Sequence, residues 1–194
     1  MANIKLGGTV VASESGGTVT LDSGVAQASG FTLGSGVTFP AGMICKYEFQ
    51  RTANTGSQTG STTWTTVNGS SIAYTPQTGA SHVFYQCRIS RQHEDARVIS
   101  GFQVKHDGTA LDYSRFGDDF SSNTGDENMA GWSYFDTTIP AWTGSKTTLL
   151  EFRCYNDSYQ NKLHWVEYWN PSDGGVMESG AFYTPTEVTM YSIM

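Results

Sequence analysis

Apolar and polar positions alternate with a period of two over most of the chain, the signature of strands with one covered face. Met43, Cys45, Tyr47 and Phe49 fall on one parity of the run 43–50. The runs His82–Ile89 and Val98–Lys105 predict two long strands, and Thr147–Tyr155, Leu163–Trp169 and Glu187–Met194 predict three more. Trp132–Phe135 reads as a shorter strand. Asn68-Gly69 and Asp107-Gly108 read as tight turns, the first closing a hairpin between Thr62–Val67 and Ser71–Tyr74. The polar stretch 107–131 reads as a long loop. No segment sustains a 3.6-residue apolar period. Many short strands with turn signals between them predict an all-β chain, a jelly-roll β-sandwich.

The last two strands are apolar on both faces. In Leu163–Trp169, Leu163 and Trp165 face Val166 and Tyr168 across the strand; in Thr186–Met194, Val188, Met190 and Met194 oppose Thr189, Tyr191 and Ile193. A strand apolar on both faces predicts cover on both, and an intersubunit core would supply the second.

The first forty residues follow a different pattern. GGTVTLDSGVAQASGFTLGSGVTFPAG, residues 16–42, is almost free of charge and repeats Gly followed by three or four residues of high β propensity. Its composition is that of a linker, but its Thr–Val alternation is that of short strands. Such strands bury nothing alone and need neighbours, which other copies of the chain could supply. Phe39-Pro40-Ala41-Gly42 marks the boundary. The expected organisation is an N-terminal attachment and trimerisation segment, 1–40, and a jelly-roll head domain, 41–194. Val10, Val19, Leu21, Phe31, Leu33 and Phe39 are the apolar positions expected to carry attachment.

Charge narrows the partners. The net charge is −7 and the basic residues are scattered, so the clustered cationic face that nucleic acid requires is missing. No apolar run reaches the ~20 residues of a membrane-spanning helix, and Met1–Leu6 leads into Gly7-Gly8 rather than the apolar core of a signal peptide. The chain is therefore expected to be soluble and to begin at its own start.

Candidate chemistry is sparse. Cys45, Cys87 and Cys154 lie far apart in apolar runs, without a CxxC pair. They read as buried free thiols of a reducing compartment, and one disulfide among the three stays open at this level. The acidic run 117–128 offers four carboxylates, but not at EF-hand spacing, so it reads as a solvated loop and no metal site is expected. His93-Glu94-Asp95 reads as a turn, and GxSxG and HExxH are absent. Glu151 and Glu167 are the best carboxylate pair for a glycosidase, yet outward-facing polar positions explain both. No enzyme, catalytic residue or cofactor is expected. Trp132, Tyr134 and Trp142, from the aromatic-rich last third, are the candidate contacts for a glycan or protein partner.

Gly36–Ile44 (GVTFPAGMI), the strand Val83–Ser90, Lys105–Thr109 (KHDGT) and the terminal strand Thr186–Met194 together resemble a group of tailed-phage virion decoration and fibre proteins. Those proteins carry a Gly/Thr-rich N-terminal attachment segment and a head similar to the trimeric C1q and tumour-necrosis-factor jelly roll. The resemblance implies a homotrimer on a phage particle, assembled in the host cytoplasm and held by the major capsid protein or a fibre base. It implies capsid decoration as a head fibre or cement protein; the alternative is a tail fibre or receptor-binding tip that binds host-surface glycans. It carries no catalytic motif to this chain.

Overall fold

The longest pairing in the molecule joins two twelve-residue strands, His82–His93 and Met129–Pro140, in uninterrupted antiparallel register. The computed structural model describes residues 2–6, 9–15, 18–21, 40–93, 97–121, 129–156, 161–166, 168–169, 177–178 and 183–194. Numbered along the chain, the strands are β1 (Ala2–Leu6), β2 (Thr9–Ser15), β3 (Thr18–Leu21), β4 (Ile44–Thr52), β5 (Gln58–Thr59), β6 (Thr65–Thr66), β7 (Ile72–Tyr74), β8 (His82–His93), β9 (Arg97–His106), β10 (Thr109–Ala110), β11 (Phe116–Ser121), β12 (Met129–Pro140), β13 (Lys146–Cys154), β14 (Asn161–Leu163), β15 (Tyr168–Trp169), β16 (Met177–Glu178) and β17 (Thr186–Ile193). A 3₁₀ turn, Asp112–Ser114, precedes β11.

The chain divides into two compact units, Met1–Thr38 and Phe39–Met194. In the first, β1, β2 and β3 form an antiparallel meander. The register places Ile4, Ala12 and Leu21 on one rung and Ala2, Glu14 and Val19 two rungs away on the same parity, with a bulge between Ile4 and Lys5. The short strands thus find partners within their own segment. Val10, Val19 and Leu21 occupy the Ala12 parity; Phe31, Leu33 and Phe39 lie outside the described residues.

The second unit is a β-sandwich of two antiparallel sheets. One runs β4–β17–β8–β12, with β14 continuing along the far end of β8 and β5 beside it. The other runs β13–β9–β11, with β7 and β6 both on the free side of β13 and β10 beside β9. The chain crosses between the sheets at β5–β6, β7–β8, β8–β9, β11–β12, β12–β13 and β13–β14, and its first and last long strands, β4 and β17, are neighbours. This is the jelly-roll arrangement.

Between the sheets lies one core. Val83, Tyr85, Cys87 and Ile89 of β8 and Val188 and Met190 of β17 face Phe102 and Val104 of β9 and Leu150 and Phe152 of β13. Phe102 is its centre, 4.5 Å from the ring of Phe135 and 6.1 Å from that of Phe152. The buried tyrosines keep their polar ends satisfied: Tyr85 Oη donates to the Ser70 carbonyl (2.9 Å) and Tyr74 Oη to Ser192 Oγ (3.0 Å). All three thiols are free; Cys87 and Cys154 are buried and Cys45 half-buried. Burial pushes the Cys87 thiol up to about 12.

Four sequence readings change. Residues 107–131 are not one loop, because β10, the 3₁₀ turn and β11 occupy much of them. β11 pairs with β9 over its whole length, Phe116 opposite Phe102 to Ser121 opposite Arg97. As an edge strand it is held by main-chain bonds that its Gly- and Asp-rich sequence does not advertise. The run Leu163–Trp169 is not one strand either: β14 ends at Leu163, and His164, at φ +65°, turns the chain. His93 is the last residue of β8 and not part of a turn; residues 94–96 lie outside the described residues. Asn68-Gly69 closes no hairpin, since β6 and β7 pair with β13, not with each other. Asp107-Gly108 does turn β9 into β10, with φ +49° and +81°, the left-handed pair a two-residue hairpin needs.

Candidate functional site

β17 alternates without interruption between buried and half-buried positions. Val188, Met190 and Ser192 point into the core, so the second apolar face, Thr189, Tyr191 and Ile193, lies outside it. The same holds for β4, whose Tyr47 (59% exposed) and Phe49 (53%) also face outward. The sandwich core thus covers one face of each strand and leaves the other outside it, exposed on β4 and half-buried on β17.

Register aligns these side chains in rungs across the sheet. Tyr47 stands beside Tyr191, Phe84 and Thr138. Phe49 stands beside Thr189, Gln86 and Asp136, and Arg51 beside Glu187, Arg88 and Tyr134. In the first rung Phe84 and Tyr191 stack face to face, centroids 4.9 Å apart and planes 6° from parallel. Met43 and Ile44, both exposed, extend the apolar area at its end. The third rung is ionic. Arg88 Nη1 donates to Glu187 Oε2 at 2.8 Å, and Arg51 Nε lies 3.5 Å from Glu187 Oε1. The Arg88 guanidinium also lies over the Trp132 ring at 3.9 Å and near that of Tyr134 at 5.6 Å. Its Nε is buried with no hydrogen-bond partner among the described residues. One end of the face is therefore aromatic and the other carries a carboxylate between two guanidiniums, with exposed Trp132 and Tyr134 beside them.

The structure brings Trp132 and Tyr134 together here, as near neighbours along β12, but not Trp142. The indole N–H of Trp142 donates to the Tyr74 carbonyl (3.3 Å) and its ring packs against Tyr74 and His106, with centroids 6.2 and 4.4 Å away. It closes one end of the core beside a cavity of about 570 Å³ bounded by 75–80 and 141–146. Burial, with the charge of Lys146 beside it, holds the His106 imidazole below its ordinary range.

Of the carboxylates considered for hydrolysis, Glu167 lies outside the described residues. Glu151 faces outward from β13, yet is buried: it accepts from Gln103 Nε2 at 2.8 Å and Lys105 Nζ at 3.3 Å. Among the described residues no three of His, Cys, Asp and Glu gather as a metal-binding group; residues 122–128 of the acidic run lie outside them.

Sequence reading did not single out Tyr47, Phe49, Phe84 and Arg88 as site residues; Tyr191 it placed on the second apolar face of the terminal strand. Alternation placed the apolar positions of β4 and β17 on common faces, but not which face the core takes.

No protein-family model matches the chain, and no curated protein matches it in sequence. Among solved structures, a chain in the structure of infectious bursal disease virus, Gx strain, aligns with 84% of this chain at 10% identity and a TM-score of 0.38. The aligned region is 41% of that chain, and at this score the likeness carries no argument about function.

Proposed function

We propose that this chain is a structural protein of a phage virion, without enzymatic activity, displayed on the capsid as a homotrimer that packs through the outer face of β4–β17–β8–β12. The observation that carries the trimer is the rung Tyr47–Tyr191–Phe84, with Phe49 beside it: Tyr47 and Phe49 are exposed, and Tyr191 and Phe84 only half-buried, in the single chain. Soluble monomers seldom leave such contiguous apolar area in water. Covering one of these rings is worth about 1.5–3 kcal/mol. A second copy is the natural occupant because the same face supplies both charges of the ionic rung. The place on a virion is supported by the resemblance of GVTFPAGMI and the terminal strand to tailed-phage decoration proteins, and by a small strand-forming unit ahead of a separate jelly roll. A jelly roll alone assigns no role, since lectins share it with viral shells.

Light scattering of the purified chain tests the trimer. A mass of three chains is expected, and Phe49→Glu should convert it to a folded monomer. A wild-type monomer would sink the proposal. Labelling the protein on intact particles tests its place; label on tails instead of heads would transfer it to the fibre reading.

A further inference from the structure

Two loops at one end of the sandwich enclose an opening. The first, 75–81, leads from β7 to β8, and the second, 141–145, leads from β12 to β13. They are joined at both ends. At one, the Ala141 amide donates to the Ser81 carbonyl at 3.0 Å. At the other, Lys146 of β13 is in register with Tyr74 of β7, and the Trp142 indole N–H donates to the Tyr74 carbonyl at 3.3 Å. Between these ties lies a cavity of about 570 Å³, within the ~300–1,000 Å³ span of small-molecule sites. The first loop is also fixed from behind. The Lys46 ammonium donates to the Thr75 carbonyl at 2.8 Å, the Gln77 amide donates to Ser192 Oγ at 3.4 Å, and the Ala80 amide closes a turn onto the Gln77 carbonyl at 3.0 Å. A site held in this way loses little freedom when it binds.

The lining is graded. Its covered positions are apolar: Pro76 is buried, and Ala80, Ala141 and Trp142 are half-buried. With its N–H engaged by Tyr74, Trp142 offers the cavity ring carbons only. The exposed positions are polar: Thr75, Gln77, Thr78 and Thr143. Their hydroxyls and carboxamide both donate and accept hydrogen bonds. Charge is balanced. Among the described residues of the lining Lys146 alone is ionic, and its ammonium lies 3.0 Å from Asp107 Oδ2. Lys46, behind the first loop, lies 2.9 Å from Glu48 Oε1. An apolar floor under a neutral rim of donors and acceptors fits a molecule with C–H groups on one side and hydroxyls around its edge. A pyranose has that form, and its C–H groups suit the carbon surface of an indole.

We infer that this cavity binds a neutral sugar, one hexopyranose unit of a glycan. Of the aromatic residues Trp132, Tyr134 and Trp142, only Trp142 lines it. The cavity shares no residue with the rungs of the proposed trimer face, so binding is expected whether light scattering finds one chain or three. The test is titration of the full chain with the methyl glycosides of glucose, galactose and mannose, and with the matching uronates, which keep the ring and add a charge. Heat and tryptophan fluorescence report binding. At least one neutral glycoside should bind saturably, and at least threefold more tightly than its uronate. Thr78→Tyr and Thr143→Tyr, which fill the mouth from exposed positions, should each weaken binding at least tenfold. Trp142→Ala should do the same by removing the floor, and Trp132→Ala, on the outer face of β12, should change nothing. Circular dichroism confirms folding; the two rim variants leave the core untouched and carry the test if Trp142→Ala does not fold. The inference is overturned if no neutral glycoside binds, if the uronate binds as tightly or more so, if Thr78→Tyr and Thr143→Tyr both leave binding intact, or if Trp132→Ala abolishes it.

Discussion

His164 is fully buried at φ +65°, a backbone conformation that costs most side chains free energy and suits Asn well. Its amide donates to the Ser90 carbonyl (3.0 Å), and its carbonyl accepts from the Thr184 amide (2.8 Å). The ring nitrogens lie 3.3 Å from Thr186 Oγ1 and from Gln58 Oε1. Those partners also bind the Asn68 main chain: Thr186 Oγ1 donates to its carbonyl at 2.6 Å and Gln58 Oε1 accepts its amide at 2.7 Å. The imidazole thus sits between β5, β17 and the Asn68 turn, and while neutral it donates to only one of the two, because Gln58 Oε1 can only accept and the Thr186 hydroxyl proton goes to the Asn68 carbonyl. Burial holds its pKa down to about 4, against about 6.5 in an unfolded chain. The unfolded state therefore binds the proton first as pH falls. Stability is full above about pH 6.5, declines toward pH 4, and the loss is on the order of 3 kcal/mol once both states are protonated. His164→Asn should keep the turn and flatten the pH dependence of Tm between 7 and 4. Some slope will remain, because burial shifts His106 the same way. Identical slopes in variant and wild type would exclude this role.

At the scale of elements, the free edge of β13 is the least regular part of the sandwich. β6 ends with Thr66 opposite Glu151 and β7 begins with Ile72 opposite Thr148, so five residues, 67–71, face two, 149–150. Ser70 helps to bridge the gap: its Oγ accepts the Leu150 amide and donates to the Leu150 carbonyl, both at 3.1 Å, while that carbonyl also accepts the Val67 amide at 2.8 Å. Gly69 makes the kink with φ +75°, and a Cβ there would lie 2.6 Å from Thr52 Cβ. Ser70→Ala should cost about 1–3 kcal/mol in urea denaturation by stranding a buried amide. Gly69→Ala should cost at least as much, through both left-handed strain and crowding. A change below 0.5 kcal/mol in both would contradict the edge described here. The sequence signal at this place, Asn68-Gly69 between two β-rich runs, is that of a hairpin, and local turn chemistry does not disclose that both runs share a third strand. β11 was hidden for a related reason, because its strand character comes from β9. Strands with strict alternation, β4, β8 and β17, were legible at once. The outer face was legible only as an ambiguity, since Tyr47 and Phe49 look like core until the fold assigns the core to the other side.

For the whole molecule, the division at Thr38 and Phe39 matters most. The core residues of the sandwich all belong to the second unit. Residues 39–194 produced alone should therefore fold cooperatively and melt close to the full chain. On the reading proposed above they should no longer co-sediment with particles, whereas the full chain should; retention of the truncated form would move attachment to the head. On the same reading, display in many copies would raise a further requirement, and the β6–β7 edge meets it. A strand that added itself beside β13's partners would meet main-chain groups in two stretches offset by three residues, with a serine hydroxyl and a left-handed glycine between them. No straight segment can pair with both stretches at once, so this margin offers a poor template for sheet extension between molecules. Heads crowded on a particle, as proposed above, would thereby be kept from polymerising through it.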